Sequence, residues 1–179
     1  MASVYVITGP PGIGKTTALV KLVKMLRNAG VEVDGFYSVE MKEKGERKGF
    51  SFVDVLTGET AELASLSGDG IRFGRYRVKV KNIDGFVPRV IHRAAEYAEV
   101  IVIDEIGPME LFSGSFRKAV EELLKTDKAI IAVVHRSFSH DLMKEILKSA
   151  KATVEVTESN RDSVPEQLYE MLKSDRILK

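Results

Sequence analysis

The sequence predicts an α/β fold with a mainly parallel sheet and helices on both faces. Short apolar runs rich in β-branched residues alternate with segments that have helical spacing, which is typical of βαβ units. These runs are continuous rather than alternating, as expected for strands that are covered on both faces. With 179 residues, the chain has the length of one sizeable domain, which we expect to span residues 1–179.

The elements follow one another in a regular order. Strands are predicted at 4–8, 31–37, 100–103, 129–134 and 153–156. Helices are predicted at 16–29, where Gly30 is the expected C-cap, and at 86–97, 115–124, 141–147 and 164–172. Between residues 38 and 81 the pattern changes to short strands and glycine turns, with no long helix. We interpret this segment as a β-rich insertion in the same domain, with a hairpin tip at Glu43–Glu46.

Composition narrows the classes of partner. The formal net charge is +1, which gives no reason to expect a nucleic acid or an anionic membrane as partner. No apolar run approaches the roughly 20 residues of a membrane span. The first residues lead directly into a strand without a basic segment, so we expect no signal peptide. The chain has no cysteine and is rich in Lys and Glu, which favours a cytoplasmic protein of thermophilic composition.

A glycine-rich segment after the first strand carries the clearest chemical signal. Residues 9–16 fit the pattern G-x-x-x-x-G-K-[ST] of the P-loop, or Walker A motif, between a predicted strand and a predicted helix. Such a loop directs backbone N–H groups at phosphates, and the helix N-terminus adds partial positive charge. Lys15 is expected to reach the β and γ phosphates, the Thr16 hydroxyl to ligate Mg²⁺, and Thr17 to contact the α phosphate. The predicted nucleotide-binding residues are Gly9, Pro10, Pro11, Gly12, Ile13, Gly14, Lys15, Thr16 and Thr17.

Two adjacent acids, Asp104 and Glu105, end the apolar strand that begins at Val100. Ionised carboxylates beside an apolar core are costly unless they are paired or face a cation. In a parallel sheet, ligands lie beyond the carboxyl ends of the strands, where the P-loop also lies. We therefore expect Asp104 to hold Mg²⁺ and to complete a Walker B motif, and Glu105 to orient and deprotonate the attacking water. The catalytic residues are thus predicted to be Lys15 and Glu105.

Several other polar residues have less specific signals. His135 follows the strand at 129–134, where it could sense the γ-phosphate or the water, or could simply cap the strand. An arginine is the usual partner of the charge that develops on a transferred phosphoryl group. The sequence does not choose among the candidates, which are Arg47, Arg75, Arg117, Arg136 and Arg161.

Taken together, these segments resemble the small P-loop nucleoside-triphosphatases first recognised in thermophiles, which have a cancer-related human relative. The strongest marks are GPPGIGKTT at the start and DEIGPMEL at Asp104–Leu111. Three further marks agree, namely GERKGF at Gly45–Phe50, GRYRV at Gly74–Val78 and NRD at Asn160–Asp162. One departure is Lys42, where relatives often have Arg, and Lys lacks the planar fork of a guanidinium group.

This resemblance implies a RecA-like fold and Mg²⁺-dependent hydrolysis of nucleoside triphosphates, with a loose choice of base. It also implies that Asn160 and Arg161 lie near the base and that Arg47 approaches the phosphates. A kinase that transfers the γ-phosphate to a small acceptor is the alternative enzyme, although no Arg-rich lid segment is visible. A nucleotide-dependent switch, with residues 38–81 as its partner surface, is a third interpretation. The sequence leaves the physiological substrate, the biological role and the oligomeric state open.

Overall fold

The computed structural model describes residues 1–179 and contains nine strands, five α-helices and one short 3₁₀ helix at Glu110–Phe112. The strands are β1 Ser3–Thr8, β2 Val33–Glu43, β3 Glu46–Asp54, β4 Thr60–Ser65, β5 Ile71–Phe73, β6 Tyr76–Val78, β7 Val100–Ile106, β8 Ala129–Val134 and β9 Ala152–Glu155. The helices are α1 Lys15–Asn28, α2 Val80–Tyr97, α3 Gly114–Leu124, α4 Asp141–Ser149 and α5 Val164–Ser174.

All nine strands form one sheet in the order β5-β6-β4-β3-β2-β7-β8-β1-β9. The five strands from β2 to β9 in this order are parallel to their neighbours. The other four are antiparallel to theirs. The carboxyl ends of β1, β7 and β8 therefore meet at one edge, which brings the glycine-rich loop to the same side as Asp104. The predicted α/β fold with helices on both faces is confirmed.

Two apolar cores cover the two faces of the sheet. On one face, α1 and α5 pack Leu19 and Leu168 against the inward residues of β1, β7 and β8. On the other face, α2, α3 and α4 pack around side chains such as Phe86, Phe116 and Leu142. The uninterrupted apolar sequences of β7 and β8 follow from this arrangement, because both of their faces are buried. None of the five α-helices combines the length and the apolar character that a membrane span requires.

Strand β2 connects the parallel and antiparallel parts of the sheet. Its first residues, Val33–Phe36, pair in parallel with β7, and residues from Phe36 onward pair antiparallel with β3. The hairpin between β2 and β3 turns at Lys44 and Gly45, which both have positive φ angles, as the predicted hairpin tip requires. The β-rich segment is thus a continuation of the central sheet, which it lengthens by four strands.

The predicted bounds of α2 and β2 differ most from those in the structure. Helix α2 begins at Val80 rather than at residue 86, so it also takes the last residues of the predicted insertion. Gly85 and Pro88 lie inside this helix, and both residues normally disfavour a helix interior. Burial of Ile83 and Phe86 against the core outweighs that preference. Strand β2 begins at Val33 rather than at residue 31 and runs to Glu43, because hairpin pairing with β3 extends it.

An ion-pair network fastens the antiparallel part to α2. Arg93 donates hydrogen bonds to both carboxylate oxygens of Asp34 at 2.8 and 2.6 Å, and to both of Asp54 at 2.9 and 2.8 Å. Both aspartates are buried. The carboxylate of Asp54 also accepts hydrogen bonds from the backbone N–H groups of Leu56 and Thr57. The network was not predicted, and it joins β2, β3 and α2 with charge-assisted bonds.

Candidate active site

The glycine-rich loop lies between β1 and α1, as predicted. Helix α1 begins at Lys15, directly after Gly14, whose φ of 112° lies in the region that favours glycine. Gly9 must also be glycine, because a Cβ atom there would lie only 2.9 Å from the carbonyl oxygen of Val156. The backbone N–H groups at the start of α1 have no partner within the helix, which is the usual basis for anion binding at such a loop.

Lys15 is folded over the loop. Its Nζ donates a hydrogen bond to the carbonyl oxygen of Gly9 at 2.7 Å, and a longer one to that of Pro10 at 3.5 Å. The residue is only 9% exposed, and it lines the cleft described below. No carboxylate forms an ion pair with Lys15, so its side-chain nitrogen is available to an anionic ligand.

Asp104 connects the loop with β7. The Thr16 hydroxyl donates a hydrogen bond of 2.6 Å to Asp104 Oδ2, so the two predicted metal ligands are in direct contact. Asp104 is 2% exposed, and its backbone carbonyl accepts a hydrogen bond from the Ser38 hydroxyl at 2.8 Å. Burial raises the pKa of the Asp104 carboxyl to about 7, the Thr16 hydrogen bond opposes this shift, and the charge of Glu105 adds to it. Such a carboxylate gains stability from a nearby cation.

Glu105 and Glu110 extend this acidic group. Glu105 is partly exposed to the cleft, whereas Glu110, at the start of the 3₁₀ helix, is 3% exposed. Glu110 Oε2 is buried and has no hydrogen-bond partner. Burial raises the pKa of Glu110 well above its ordinary value, and the charges of Glu105 and Asp104 raise it further. Three carboxyl groups therefore lie beside Lys15 and Thr16.

A single cleft of about 490 Å³ joins these residues. The predicted site residues that line it are Pro11, Gly12, Gly14, Lys15, Thr16, Thr17, Arg47, Asp104, Glu105 and His135. Gly9, Pro10 and Ile13 form the base of the loop and lie outside the lining, since Ile13 packs on the core below α1. The cleft continues past Glu105 towards the antiparallel strands. The remaining lining residues are Ser38, Val39, Glu40, Phe50, Leu63, Phe73, Pro108, Met109 and Glu110.

His135 and Arg47 lie in the cleft with other partners nearby. The His135 Nδ1 accepts a hydrogen bond from the Ser137 backbone N–H at 3.2 Å, so this nitrogen orders the turn after β8. The Arg47 guanidinium forms an ion pair with Glu40 and lies over the Phe50 ring, with Cζ 5.4 Å from its centroid. In this structure Arg47 is therefore held on the antiparallel side of the cleft.

Asn160 and Arg161 lie at the opposite side, in the loop after β9. The Asn160 side chain accepts a hydrogen bond from the Thr157 backbone N–H and donates one to the Glu155 carbonyl oxygen, both at 2.7 Å. Asn160 thus shapes the loop rather than lining the cleft. Arg161 lies closer to the phosphate loop, because its Cδ is 3.8 Å from the position that a Cβ on Gly14 would occupy.

The other candidate arginines have structural partners. Arg117 donates to the Leu111 carbonyl oxygen, and Arg136 forms an ion pair of 3.3 Å with Glu155. Arg75 donates to the Arg47 carbonyl oxygen at 3.3 Å. None of these three lines the cleft. Of the five candidates, Arg47 lines the cleft and Arg161 lies beside Gly14 of the phosphate loop.

Sequence reasoning missed three polar residues of the cleft, one of which is Ser38, the hydrogen-bond donor to the Asp104 carbonyl oxygen. Glu40 pairs with Arg47, and Glu110 adds a third carboxyl to Asp104 and Glu105. The signal for Glu110 was its position between Met109 and Leu111, since an acid within an apolar run after a strand end is unusual for a solvated residue. Nothing in the spacing of Glu40 distinguished it from the other acids of the hairpin.

A sequence model of a protein family, described as NTPase, matches residues 4–169. This chain belongs to that NTPase family. The resemblance expected from the sequence is thereby confirmed, and every residue predicted for the site lies inside the matched segment.

Individual members of the NTPase family agree over nearly the full chain. The nucleoside-triphosphatase THEP1 of Thermofilum pendens is 42% identical over 173 residues, which cover 95% of each chain. The THEP1 of Methanosarcina acetivorans is 38% identical over 163 residues, covering 90% of this chain and 92% of the relative.

Two solved structures of NTPases share the fold. The crystal structure of THEP1 from the hyperthermophile Aquifex aeolicus has a TM-score of 0.82 and 30% identity, covering 94% of this chain and 98% of that one. The solution structure of a human cancer-related nucleoside triphosphatase has a TM-score of 0.82 and 32% identity, covering 97% of this chain and 98% of that one.

Proposed function

We propose that this protein hydrolyses nucleoside triphosphates to the diphosphate and inorganic phosphate, with Mg²⁺ as its cofactor. The observation that carries the proposal is the single cleft in which the phosphate loop, Asp104 and Glu105 meet. The NTPase family supports it, because the similar proteins are named nucleoside-triphosphatases.

The phosphate loop binds the triphosphate chain. Backbone N–H groups at the start of α1 surround the phosphates, and Lys15 neutralises part of their charge. The hydrogen bond from Lys15 to the Gly9 carbonyl oxygen is exchanged for one to a phosphate oxygen when the nucleotide enters. Arg161, beside Gly14, then lies towards the nucleoside end of the ligand, where the resemblance also locates Asn160.

Thr16 and Asp104 have the right donors for Mg²⁺. Hydroxyl and carboxylate oxygens are the ligands that this ion prefers, and their separation of 2.6 Å brings both to one point. Mg²⁺ keeps several waters and phosphate oxygens as ligands, so two protein groups suffice. When bound, it would neutralise charge on the β and γ phosphates. The buried Asp104 carboxyl, whose pKa of about 7 reflects the cost of its charge, would be stabilised in its ionised form.

Glu105 acts as the general base. It follows Asp104 directly and faces the cleft, which brings its carboxylate to the γ-phosphate side of the loop. In the proposed step, the water oxygen forms a bond to the γ-phosphorus while the bond from this phosphorus to the β–γ bridging oxygen breaks. The water proton passes to Glu105, and the diphosphate leaves with the bridging oxygen. Arg47 is the arginine on this side that could release Glu40 and approach the transferred group.

The deciding experiment is steady-state phosphate release from ATP, GTP, CTP and UTP with Mg²⁺. We expect the wild type to hydrolyse all four, and Glu105→Gln to bind Mg-nucleotide while its kcat falls by about a hundredfold or more. Glu121→Gln, which changes an exposed acid on α3 outside the cleft, is the matched control and should keep the wild-type kcat. A wild type that binds nucleotide and releases almost no phosphate would refute hydrolysis.

A second candidate, transfer of the γ-phosphate to an acceptor, is favoured by one feature of the cleft. Beyond Glu105 the cleft continues past β2 to β3 and β4, two to three strand spacings further along the sheet, or roughly 10–15 Å. Four of the hydrophobic lining residues lie on β2 to β5, namely Val39, Phe50, Leu63 and Phe73, and the fifth, Met109, precedes the 3₁₀ helix. This part could admit an apolar alcohol, whose oxygen would replace that of water and whose proton would pass to Glu105.

A product balance separates the two candidates. Hydrolysis releases one phosphate for each ADP, whereas transfer leaves a shortfall of phosphate equal to the phosphate ester formed. The probe is 2-phenylethanol, with ethanol at the same concentration as the control without a ring. A shortfall with 2-phenylethanol alone would support transfer, and equal ADP and phosphate with both alcohols would reject this class of acceptor.

A further inference from the structure

Glu110 is a buried acid for which the proposed reaction has no role. It is 3% exposed, and its Oε2 has no hydrogen-bond partner. Nearly all buried polar groups in folded proteins are hydrogen-bonded, because an unpaired one loses its interaction with water without compensation. No Lys, Arg or His forms an ion pair with it, in contrast to the buried Asp34 and Asp54. A buried carboxyl oxygen without a partner at this position therefore calls for a functional explanation.

Gly107 shows where this oxygen points. A Cβ atom on Gly107 would lie 3.2 Å from Glu110 Oε2 and 3.1 Å from Glu105 Oε1. Both carboxyl groups thus approach the same small volume, which is open because residue 107 has no side chain. The φ angle of Gly107 is not in the left-handed region, so the backbone does not require glycine here. A Cβ atom would instead press on both carboxyl oxygens, which would have to shift by a few tenths of an ångström.

The charges in this volume favour a hydrogen bond between the two acids. Burial, followed by the negative charges of Glu105 and Asp104, raises the pKa of Glu110 well above its ordinary value. Two carboxyl groups can share a hydrogen bond only when one of them holds a proton, and Glu110 is the more deeply buried of the two. The oxygen that faces it across Gly107 is Glu105 Oε1.

We propose that Glu110 is a positioning residue, whose carboxyl group donates a hydrogen bond to Glu105 across Gly107 and orients Glu105 towards the attacking water. One oxygen of Glu105 is occupied by Glu110, and the other is left to accept the water proton. This inference rests on the proposed function of Glu105 as general base. Glu110 itself does not touch the substrate, and its effect on the reaction passes through Glu105.

Two substitutions of Glu110 separate positioning from folding. Glu110→Leu keeps a similar volume and removes the donor, while Glu110→Gln keeps a donor. Replacing an unsatisfied buried polar group with an apolar one is close to neutral or stabilising, so we expect Glu110→Leu to unfold in urea no more easily than the wild type. Its kcat should fall by about tenfold to a hundredfold with KM changed less than about twofold. Glu110→Gln should restore kcat to within about threefold of the wild type.

Gly107→Ala tests the shared volume without changing either acid. Its methyl group would lie 3.1 Å from Glu105 Oε1 and 3.2 Å from Glu110 Oε2 and would displace both oxygens, so we expect a loss of kcat similar to that of Glu110→Leu. Gly85→Ala is the matched control, since a Cβ there meets nothing within 4 Å and Gly85 lies in α2 away from the cleft. The control should keep the wild-type kcat.

A double-mutant cycle shows whether Glu110 acts through Glu105. In the Glu105→Gln background, Glu110→Leu should cause no further loss of kcat, because the carboxylate that it positions is already absent. A full additional loss in that background, or a Glu110→Gln variant as slow as Glu110→Leu, would overturn the positioning role. Failure of the proposed function looks different, because Glu105→Gln alone would then turn over as fast as the wild type.

Discussion

Two groups of buried acids lie at opposite ends of β7. Near its start, Ile101 pairs with Asp34 of the neighbouring strand β2. The carboxylates of Asp34 and Asp54 both accept hydrogen bonds from Arg93, which forms an ion-pair network there. At its carboxyl end, Asp104 and Glu110 are similarly buried, but the only side-chain bond made by either carboxyl group comes from the Thr16 hydroxyl. Buried carboxyl groups at the two ends of β7 thus differ in their hydrogen-bond partners, although they are buried to a similar degree.

The pKa shifts of the two groups have opposite directions. Burial alone would raise the pKa of Asp54, but hydrogen bonds from Arg93, Thr57 and Leu56 outweigh burial and lower it. Burial raises the pKa of Asp104 and of Glu110; the charge of Lys15 offsets only a small part of the shift of Asp104, and no cation offsets that of Glu110. In the first group the protein supplies the counter-charge itself. In the second group the carboxyl groups have no such counter-charge and can interact with a ligand. The presence or absence of a bound cationic partner, rather than the degree of burial, therefore distinguishes a structural acid from a functional one.

Removing the cation of the paired group should give the largest change in stability. Arg93→Leu leaves two buried carboxylates uncompensated, so we expect it to lower the free energy of unfolding by about 3–5 kcal/mol. Urea denaturation at neutral pH measures this loss. Arg89→Leu, on the same helix, breaks an exposed ion pair with Glu59 and should cost less than about 1 kcal/mol. Equal losses in both variants would mean that the buried network adds nothing beyond a surface pair.

Asp104→Asn, in the group without a cationic partner, should raise the stability of the protein, whereas Arg93→Leu lowers it. Without Mg²⁺, the amide removes a costly buried charge, so we expect the free energy of unfolding in EDTA at pH 8 to rise by about 1 kcal/mol. The same variant should need a higher Mg²⁺ concentration for half-maximal phosphate release. A lower stability together with an unchanged Mg²⁺ requirement would assign Asp104 to the structural class of Asp34 and Asp54.

At low pH the contribution of Asp54 to the free energy of unfolding should be lost, which is a smaller effect than that of either substitution. The folded-state pKa of Asp54 lies below that of the unfolded chain, so its contribution to stability is fully present above the unfolded value near 4. That contribution is lost as the pH falls from about 4 through the folded pKa. The free energy of unfolding of the wild type should therefore decline more steeply between pH 5 and pH 3 than that of Arg93→Leu. Parallel declines in the two proteins would contradict the assignment.

The parallel part of the fold was predictable because its signals are local. Continuous apolar runs mark β1, β7 and β8, and the phosphate loop is a contiguous motif with a fixed spacing. The start of α2 was not predictable, since Gly85 and Pro88 disfavour a helix and the burial that stabilises it comes from distant strands. The extension of β2 similarly depends on a hairpin partner rather than on its own sequence.

Site residues divide in the same way. Lys15, Thr16, Asp104 and Glu105 belong to two short motifs, and fold class alone brings those motifs to one edge of the sheet. The network of Asp34, Asp54 and Arg93 joins three elements that are separated by 20 and 39 residues, so no local pattern reports it. Glu110 required knowledge of which side of the 3₁₀ helix is buried, and spacing does not give this for a helix of three residues.

The position of β1 in the sheet has a consequence for synthesis of the chain. Its only strand neighbours are β8 and β9, which end at Val134 and Glu155. Before β8 and β9 are synthesised, β1 lacks both of its neighbours in the sheet, and the loop that follows it lacks the support of Val156. The phosphate loop therefore gains its folded surroundings only after Val156 has left the ribosome, long after the loop itself.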